Sequence, residues 1–157
     1  GMDIAEHRRP QDGRYTHATA AGKSVDLRVC SMPTLHGEDV SVRVLDRDAM
    51  QLPFDRLGLS EPDRARLTAL LAHPGGLILV TGPTGSGKTT TLYACLRHLN
   101  DGRRRIHTIE DPVEYALPGV HQSQPHPKLE LRFPDLLRGV LRQAPDVIMI
   151  GEIRDAE

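Results

Sequence analysis

Gly82-Pro83-Thr84-Gly85-Ser86-Gly87-Lys88-Thr89-Thr90 is the stretch that decides how this chain folds. It has the pattern G-x-x-x-x-G-K-T. An apolar run of strand length precedes it at residues 76–81, and residues 91–96 after it have helical spacing. A strand, a glycine loop and a helix in that order form the context that a phosphate-binding loop requires. The sequence therefore predicts that this loop binds the phosphates of a nucleotide.

The residue types of the loop explain how it would hold a triphosphate. Glycines let backbone N–H groups turn inward around the phosphates, and the helix that begins near Lys88 adds the positive end of its dipole. Lys88 is predicted to reach the β and γ phosphates, and the Thr89 hydroxyl to ligate the magnesium ion that bridges them. The predicted nucleotide contacts in the loop are Gly82, Pro83, Thr84, Gly85, Ser86, Gly87, Lys88, Thr89 and Thr90.

Composition narrows the class of protein. The chain has 157 residues, enough for one substantial core with a small appendage. Its 20 basic and 21 acidic residues nearly balance, so net charge predicts neither a nucleic-acid nor a membrane partner. No apolar run approaches the ~20 residues of a membrane span. Cys30 and Cys95 are predicted to be free thiols of a reducing compartment, which points to the cytoplasm.

Residues 1–46 are predicted to form a β-rich unit. Apolar and polar residues alternate in two segments, which is the period of a half-buried strand. If those two strands pair, Arg28 and Arg43 lie together on the polar face, where arginines are usually solvated. The predicted segments are a turn at 11–13, a strand at 14–18, a hairpin turn at 21–23, strands at 24–31 and 40–44, and a loop at 32–39.

Residues 47–55 are predicted to be a linker, and residues 56–157 a second domain in which helices and strands alternate. Ser60 is a predicted helix cap, with Pro62 in the first turn. The predicted elements after it are a helix ending before 73–76, the strand at 76–81, a helix ending near Asn100, a strand at 106–109, a loop at 121–126, a helix from Phe133 to Leu141 and a strand at 147–150. None of the eight histidines has zinc-ligand spacing with cysteine.

Two carboxylates follow predicted strands in the second domain. Glu110 follows the strand at 106–109, and Glu152 follows the strand at 147–150. Open parallel sheets bind ligands at the carboxyl ends of their strands. Hydrolysis of a terminal phosphate needs a positioned water, a metal ion and positive charge. We therefore predict that Glu110 orients the water and Glu152 lies on the metal side, and the opposite assignment stays open.

Three segments together resemble a known family. Residues 82–93, residues 108–115 (Thr-Ile-Glu-Asp-Pro-Val-Glu-Tyr) and residues 141–155 resemble the Walker A, Asp box and Walker B segments of the secretion ATPases. These are the hexameric motors of type II secretion and type IV pilus assembly. Residues 10–14, 25–29 and 36–45 look like the end of that family's second N-terminal domain. The resemblance covers essentially the whole chain and favours the export and assembly branch.

The resemblance implies an α/β fold: a truncated RecA-like P-loop NTPase core preceded by the end of a small α+β N-terminal domain. It implies ATP and Mg²⁺ as cofactors, a homo-hexamer, and an inner-membrane platform protein as partner, so that the protein is peripheral at that membrane. Nucleic acid is not an expected partner. In such proteins two arginines of the small domain reach the terminal phosphates, and by position these are Arg28 and Arg43.

The chain departs from the family pattern in places. Ala144 stands where an acidic residue is more usual and Glu130 where glycine is more usual, and we expect both to be tolerated. The His box and the domains at both ends of this family are absent, so we expect a piece of a longer protein with little hydrolysis of its own. The alternatives are a nucleotide-binding or assembly module without turnover, a P-loop kinase, and a RecA-type NTPase acting on nucleic acid.

Overall fold

The computed structural model describes residues 2–19, 24–46, 51–126 and 129–153. It divides into two compact units, Gly1–Met50 and Gln51–Glu157, and each is described by itself. The division falls inside the segment that the sequence predicts to be a linker. The finer domain limits stay a prediction.

Unit 1 contains a three-stranded antiparallel sheet in the order β1-β2-β3. Its strands are β1 (Gln11–Ala18), β2 (Ser24–Thr34) and β3 (Gly37–Asp46). The predicted loop at 32–39 is wrong, because β2 and β3 continue to pair until only residues 35 and 36 are left to turn. Gly37, directly after this turn, has a φ of 127°, a conformation that glycine adopts without strain.

Two further predictions in unit 1 concern turns at residues 11–13 and 21–23. Residues 11–13 are not a turn but the first residues of β1, and they pair with residues 29–31 of β2. Their turn-type composition is overridden by this pairing, because polar residues and glycine are acceptable on a solvent-exposed edge strand. The predicted hairpin turn at 21–23 lies outside the described residues.

The register of the sheet places three arginines side by side. Arg14 lies opposite Arg28, and Arg28 lies opposite Arg43. Because side chains alternate between faces, all three are on one face, and Val42 and Val44 are on the other. The prediction that Arg28 and Arg43 share the polar face is therefore confirmed.

Unit 2 has α/β architecture, as predicted. Its parallel sheet has the order β5-β4-β6, with β4 in the centre and hydrogen-bonded on both sides. The elements are a short 3-10 helix (Phe54–Arg56), α1 (Glu61–Leu71), α2 (Lys88–Leu99), β4 (Ile106–Ile109), β5 (Val120–Ser123), α3 (Phe133–Leu141) and β6 (Val147–Ile150).

Local signals in unit 2 match the structure closely. The Ser60 side chain caps α1 by accepting from the backbone N–H of Asp63 at 3.3 Å. Helix α2 begins at Lys88, directly after the glycine loop, and ends before Asn100. Strands β4 and β6 have the predicted bounds because short apolar runs between turn signals suit a buried parallel strand.

Two predictions in unit 2 are wrong. Residues 120–123 form β5, although histidine and glutamine made this segment resemble a loop; pairing with the buried strand β4 outweighs their low apolar content. The strand predicted at residues 76–81 is not formed in the described part of the chain, and Leu77 and Leu79 are 82% and 66% exposed. The described sheet ends at the edge strands β5 and β6, and this apolar run pairs with neither of them, so it has no strand partner within the described residues.

The core of unit 2 lies between helix α2 and the parallel sheet. Its buried apolar side chains are Tyr93, Ala94, Cys95, Leu96, Leu99, Ile106, Ile109, Tyr115, Leu117, Val140 and Met149. Burying a side chain of this size contributes about 1.5–3 kcal/mol, so α2 is the best anchored of the helices. Helix α1, by contrast, buries no residue. The glycine loop is thus attached at its C-terminal end to the firmest helix of the unit.

Candidate functional site

The glycine loop has a backbone that only glycine adopts easily. Gly82, Gly85 and Gly87 have φ angles of 153°, 80° and 92°, in the region that side chains disfavour. A Cβ at Gly82 would also lie 2.7 Å from the Ser86 Oγ. The Ser86 N–H donates to the Pro83 carbonyl at 3.2 Å, which closes the turn. The loop is therefore held in one shape directly before the N-terminus of α2.

Lys88 lies against this loop. Its Nζ donates to the carbonyl oxygens of Gly82 at 2.8 Å and Pro83 at 2.9 Å. The adjacent Thr89 is exposed at the first turn of α2, where the helix dipole favours negative charge. An ammonium group, an exposed hydroxyl and a helix N-terminus in succession suit the oxygens of a phosphate chain.

The two predicted acids follow neighbouring strands. Ile109 and Ile150 are paired residues of the parallel strands β4 and β6, and Glu110 and Gly151 follow them. The Gly151 N–H donates to the Ile109 carbonyl at 2.8 Å. A Cβ on Gly151 would lie 3.3 Å from Glu110 Cα and Cγ, so glycine allows the two strand ends to approach this closely. Glu110 is only 3% exposed, whereas Glu152 is exposed.

The Glu110 carboxylate is surrounded by donors, and we call Glu110 with Tyr93, Thr108 and Gln122 the Glu110 network. Thr108 Oγ1 donates to Oε1 at 2.5 Å, and Gln122 Nε2 donates to the same oxygen at 3.2 Å. The Tyr93 hydroxyl donates to Oε2. Burial of a carboxylate is costly unless it is hydrogen-bonded, and these three donors meet that need.

The rest of the Glu110 network fixes the direction of each donor. The Leu117 N–H donates to Gln122 Oε1 at 2.6 Å, which leaves the amide nitrogen to face Glu110. The Tyr93 hydroxyl accepts from the Glu114 N–H at 3.3 Å, so its own proton is available to Glu110. Burial raises the pKa of Tyr93, and the hydrogen bond and charge of Glu110 raise it further. Tyr93 therefore acts as a donor.

Sequence reasoning missed the partners of Glu110. Thr108 is two residues before Glu110. Residues two apart in an extended strand share a face of the sheet, so this spacing could have identified Thr108 as a neighbour of Glu110. Tyr93 is four residues after Thr89 on a helix, which places it one turn below the predicted metal ligand. Gln122 gave no signal, because its strand was not predicted.

A histidine pair lies on the neighbouring strands β4 and β5 of the parallel sheet. His107 of β4 and His121 of β5 are paired in register, and their rings stack with centroids 4.8 Å apart. Burial lowers the pKa of His107, and the positive charges of His121 and Arg105 lower it further. The His107 Nε2 is buried without a hydrogen-bond partner in the described structure. His107 is consequently a neutral core residue near pH 7.

The described residues contain no group of three or more metal-ligating His, Cys, Asp or Glu side chains. Within the described residues, no helix has the length and apolar character to cross a membrane. Cys30 is exposed and Cys95 buried, and both are free thiols, as predicted.

Comparison with characterised proteins places the chain in a family. The sequence model of the family described as "Type II/IV secretion system protein" matches residues 1–157. Type II secretion system protein E of Dickeya dadantii is 50% identical over 156 residues, and that of Pseudomonas aeruginosa is 52% identical. Type II secretion system ATPase E of Vibrio cholerae is 49% identical. These alignments cover 99% of this chain and 31% of each relative, so the chain spans about a third of their length.

Solved structures give the same result for the fold. The pilus retraction motor PilT, solved with bound ADP, superposes with a TM-score of 0.73 at 33% identity, over 94% of this chain and 41% of PilT. The ATPase DotB of Legionella pneumophila superposes with a TM-score of 0.64 at 26% identity, over 94% of this chain and 42% of DotB. The fold is that of the RecA-like secretion ATPases, as predicted. The chain therefore belongs to the type II/IV secretion system protein family.

Proposed function

We propose that this chain is the ATP-binding part of a motor that hydrolyses ATP and powers type II secretion or type IV pilus assembly. One observation carries the proposal: Tyr93, on the helix that begins at the phosphate-binding loop, donates to Glu110 at the end of a central strand. A buried hydrogen bond of this kind ties the nucleotide-binding helix to the carboxylate that would act on the water. PilT, a relative in fold, was solved with ADP, which supports the nucleotide.

Each predicted residue has a role in this proposal. The loop from Gly82 to Thr90 binds the phosphates through its N–H groups, and Lys88 exchanges its two carbonyl contacts for phosphate oxygens. Thr89 and Glu152 would hold Mg²⁺. When bound, the ion would withdraw charge from the phosphate oxygens. The exposure of both side chains supports this assignment.

Glu110 orients the attacking water. A carboxylate can accept about four hydrogen bonds, and three of these positions are filled by the Glu110 network, so one remains on Oε2. A water that donates to this position presents its oxygen to the γ-phosphorus. The bond from phosphorus to the bridging oxygen breaks as the new bond forms, a proton of the water passes to an oxygen of the transferred phosphate, and the products are ADP and phosphate.

The test is turnover by the full-length gene product with and without Lys88. Lys88→Ala should lower the rate of phosphate release on the order of 10²-fold or more, as expected for loss of a group that stabilises the transition-state charge. Arg66→Ala, which removes an exposed positive charge from α1, is the control and should retain the wild-type rate. Equal rates for Lys88→Ala and wild type would refute the proposal.

Binding and turnover measured together separate the alternatives. Calorimetry with a non-hydrolysable ATP analogue should detect binding that Glu152→Gln leaves nearly intact while turnover is lost. Binding without turnover in the wild-type protein would instead indicate an assembly module. Stimulation of turnover by single-stranded DNA would indicate an NTPase acting on nucleic acid.

We also propose the family's assembly for this protein: a homo-hexamer in the cytoplasm, docked to an inner-membrane platform protein. Sizing of the full-length product with nucleotide tests the hexamer. Arg28 and Arg43 are proposed phosphate ligands, supported by their adjacent positions on one face of the sheet. Arg28→Ala and Arg43→Ala should weaken nucleotide binding or turnover, whereas Arg14→Ala measures the effect of an arginine in the same row.

A further inference from the structure

The two carboxylate oxygens of Glu110 receive different numbers of hydrogen bonds in the Glu110 network. Oε1 receives two side-chain donors, Thr108 and Gln122, whereas Oε2 receives one, Tyr93. All members except Gln122 are almost completely buried, so bulk water does not displace the three side-chain donors. The single acceptor position left on Oε2 therefore has a direction set by Tyr93 and not by solvent.

Three separate elements meet at this carboxylate. Tyr93 comes from α2, Thr108 from β4 and Gln122 from β5. Gln122 also donates to the Tyr115 carbonyl at 3.1 Å and to the Tyr93 hydroxyl at 3.3 Å. A rotation of the Glu110 carboxylate would break bonds to all three elements at once. The sheet and the helix thus determine its orientation jointly.

We propose that Tyr93 and Gln122 are positioning residues for ATP hydrolysis, because they fix the Glu110 carboxylate with one oxygen directed at the attacking water. The inference rests on the proposed function. Neither residue touches the nucleotide in this account; both act through Glu110. Misplacement of a catalytic group by about 1 Å costs up to roughly 10²-fold in rate, so removal of either donor should slow turnover without weakening nucleotide binding.

The experiment compares Tyr93→Phe with wild type in the full-length protein. The variant keeps the buried ring and its contact with Tyr115, whose centroid is 4.6 Å away, and removes only the hydroxyl. We expect kcat to fall about 10- to 100-fold, with KM and the affinity for a non-hydrolysable ATP analogue within about twofold of wild type. Tyr15→Phe removes an exposed tyrosine hydroxyl in unit 1 and should leave kcat unchanged.

Gln122→Glu provides a second variant. It keeps an oxygen for the Leu117 N–H, so that backbone donor stays satisfied, but it removes the amide donors to Glu110, to the Tyr93 hydroxyl and to the Tyr115 carbonyl and places a second carboxylate beside Glu110. It should lower kcat at least as much as Tyr93→Phe, again with little change in analogue affinity. Loss of analogue affinity in parallel with kcat in both variants would instead show a structural role and would overturn the inference.

A double-mutant cycle gives the decisive readout. If Tyr93 acts through Glu110, Tyr93→Phe should have almost no further effect on the single-turnover rate in a Glu110→Gln background. Full additivity of the two losses would overturn the inference, as would wild-type kcat in Tyr93→Phe. Failure of the proposed function has a different result, namely no ATP turnover by wild type or full turnover by Lys88→Ala.

Discussion

Gly151→Ala is expected to destabilise unit 2, although alanine normally stabilises where it replaces glycine. The added Cβ would lie 3.3 Å from both Glu110 Cα and Cγ and 3.5 Å from its Cβ. Carbon atoms in contact prefer about 3.5–4.0 Å, so a shift of a few tenths of an ångström is needed. Gly151 is held by its 2.8 Å hydrogen bond to Ile109, and the Glu110 N–H donates to Ser123 at 3.0 Å, so neither side yields freely.

The magnitude follows from two opposing terms. Overpacking costs about 1–3 kcal/mol, and the lower entropy of the unfolded alanine chain returns about 0.4–1 kcal/mol. The net loss is about 1–2 kcal/mol, which lowers Tm by roughly 5–10 °C for a unit of this size. Thermal and urea unfolding of the 157-residue chain, followed by circular dichroism, measure the change.

Gly139→Ala is the matched control for this experiment. Gly139 lies inside α3, and a Cβ there meets no described atom within 4 Å. Its replacement should raise stability by about 1 kcal/mol through helix propensity. The two Gly→Ala exchanges should therefore change Tm in opposite directions. If Gly151→Ala unfolds at or above the wild-type temperature, the close approach of the two strand ends does not constrain the fold.

Three other predictions concern stability and reactivity. Because the pKa of His107 is lowered from 6.5, the unfolded chain binds a proton that the folded chain does not, so stability falls as the pH drops below about 6.5. His107→Val should reduce this loss between pH 7.5 and 5.5 in urea unfolding, and an unchanged loss would contradict it. Ala144 has a φ of 48°, so Ala144→Gly should raise the free energy of unfolding by about 1 kcal/mol. Ala69→Gly, inside α1, should lower it by about as much. If both substitutions change stability in the same direction, backbone strain at Ala144 is excluded as the cause. The exposed Cys30 should react with Ellman's reagent in the folded chain, though slowly, because its hydrogen bond to Asp12 raises the pKa of the thiol; the buried Cys95, whose pKa is raised by burial, should react only after unfolding.

Elements with strong local signals were predictable from sequence. The glycine loop, α2, β4 and β6 have their predicted places because glycines, apolar runs and caps act over a few residues. Strand β5 was not predictable, since its pairing with β4 depends on residues more than ten positions away. The register that aligns Arg14 with Arg28 was not predictable either. It depends on how two strands pair, and the alternation of apolar and polar residues along one strand does not specify that pairing.

The candidate site likewise contains residues that the sequence predicts and residues that it does not. Motif residues such as Lys88, Thr89 and Glu110 were recognisable from the sequence because their spacing is fixed by the loop and the strand ends. The partners of Glu110 were not, because Tyr93 and Gln122 are separated from it by 17 and 12 residues. The burial of Glu110 follows from this missed network, which supplies the donors that replace water.

The backbone conformation at Glu130 and Ala144 gives a physical reason why other residue types are more usual at these positions. Both residues have positive φ, at 55° and 48°. Glycine adopts this conformation without strain, and a short acidic side chain adopts it more easily than alanine. That both residues are tolerated stays a prediction, and each position carries a conformational cost of about 1–2 kcal/mol.

The exposed apolar residues before the phosphate-binding loop have a practical consequence for handling the chain. Leu77, Ile78 and Leu79 combine high hydrophobicity with strand propensity and carry no charge. Such a segment can add to strands of other molecules and seed intermolecular β-structure. Concentrated samples of the 157-residue chain should therefore self-associate through residues 76–80.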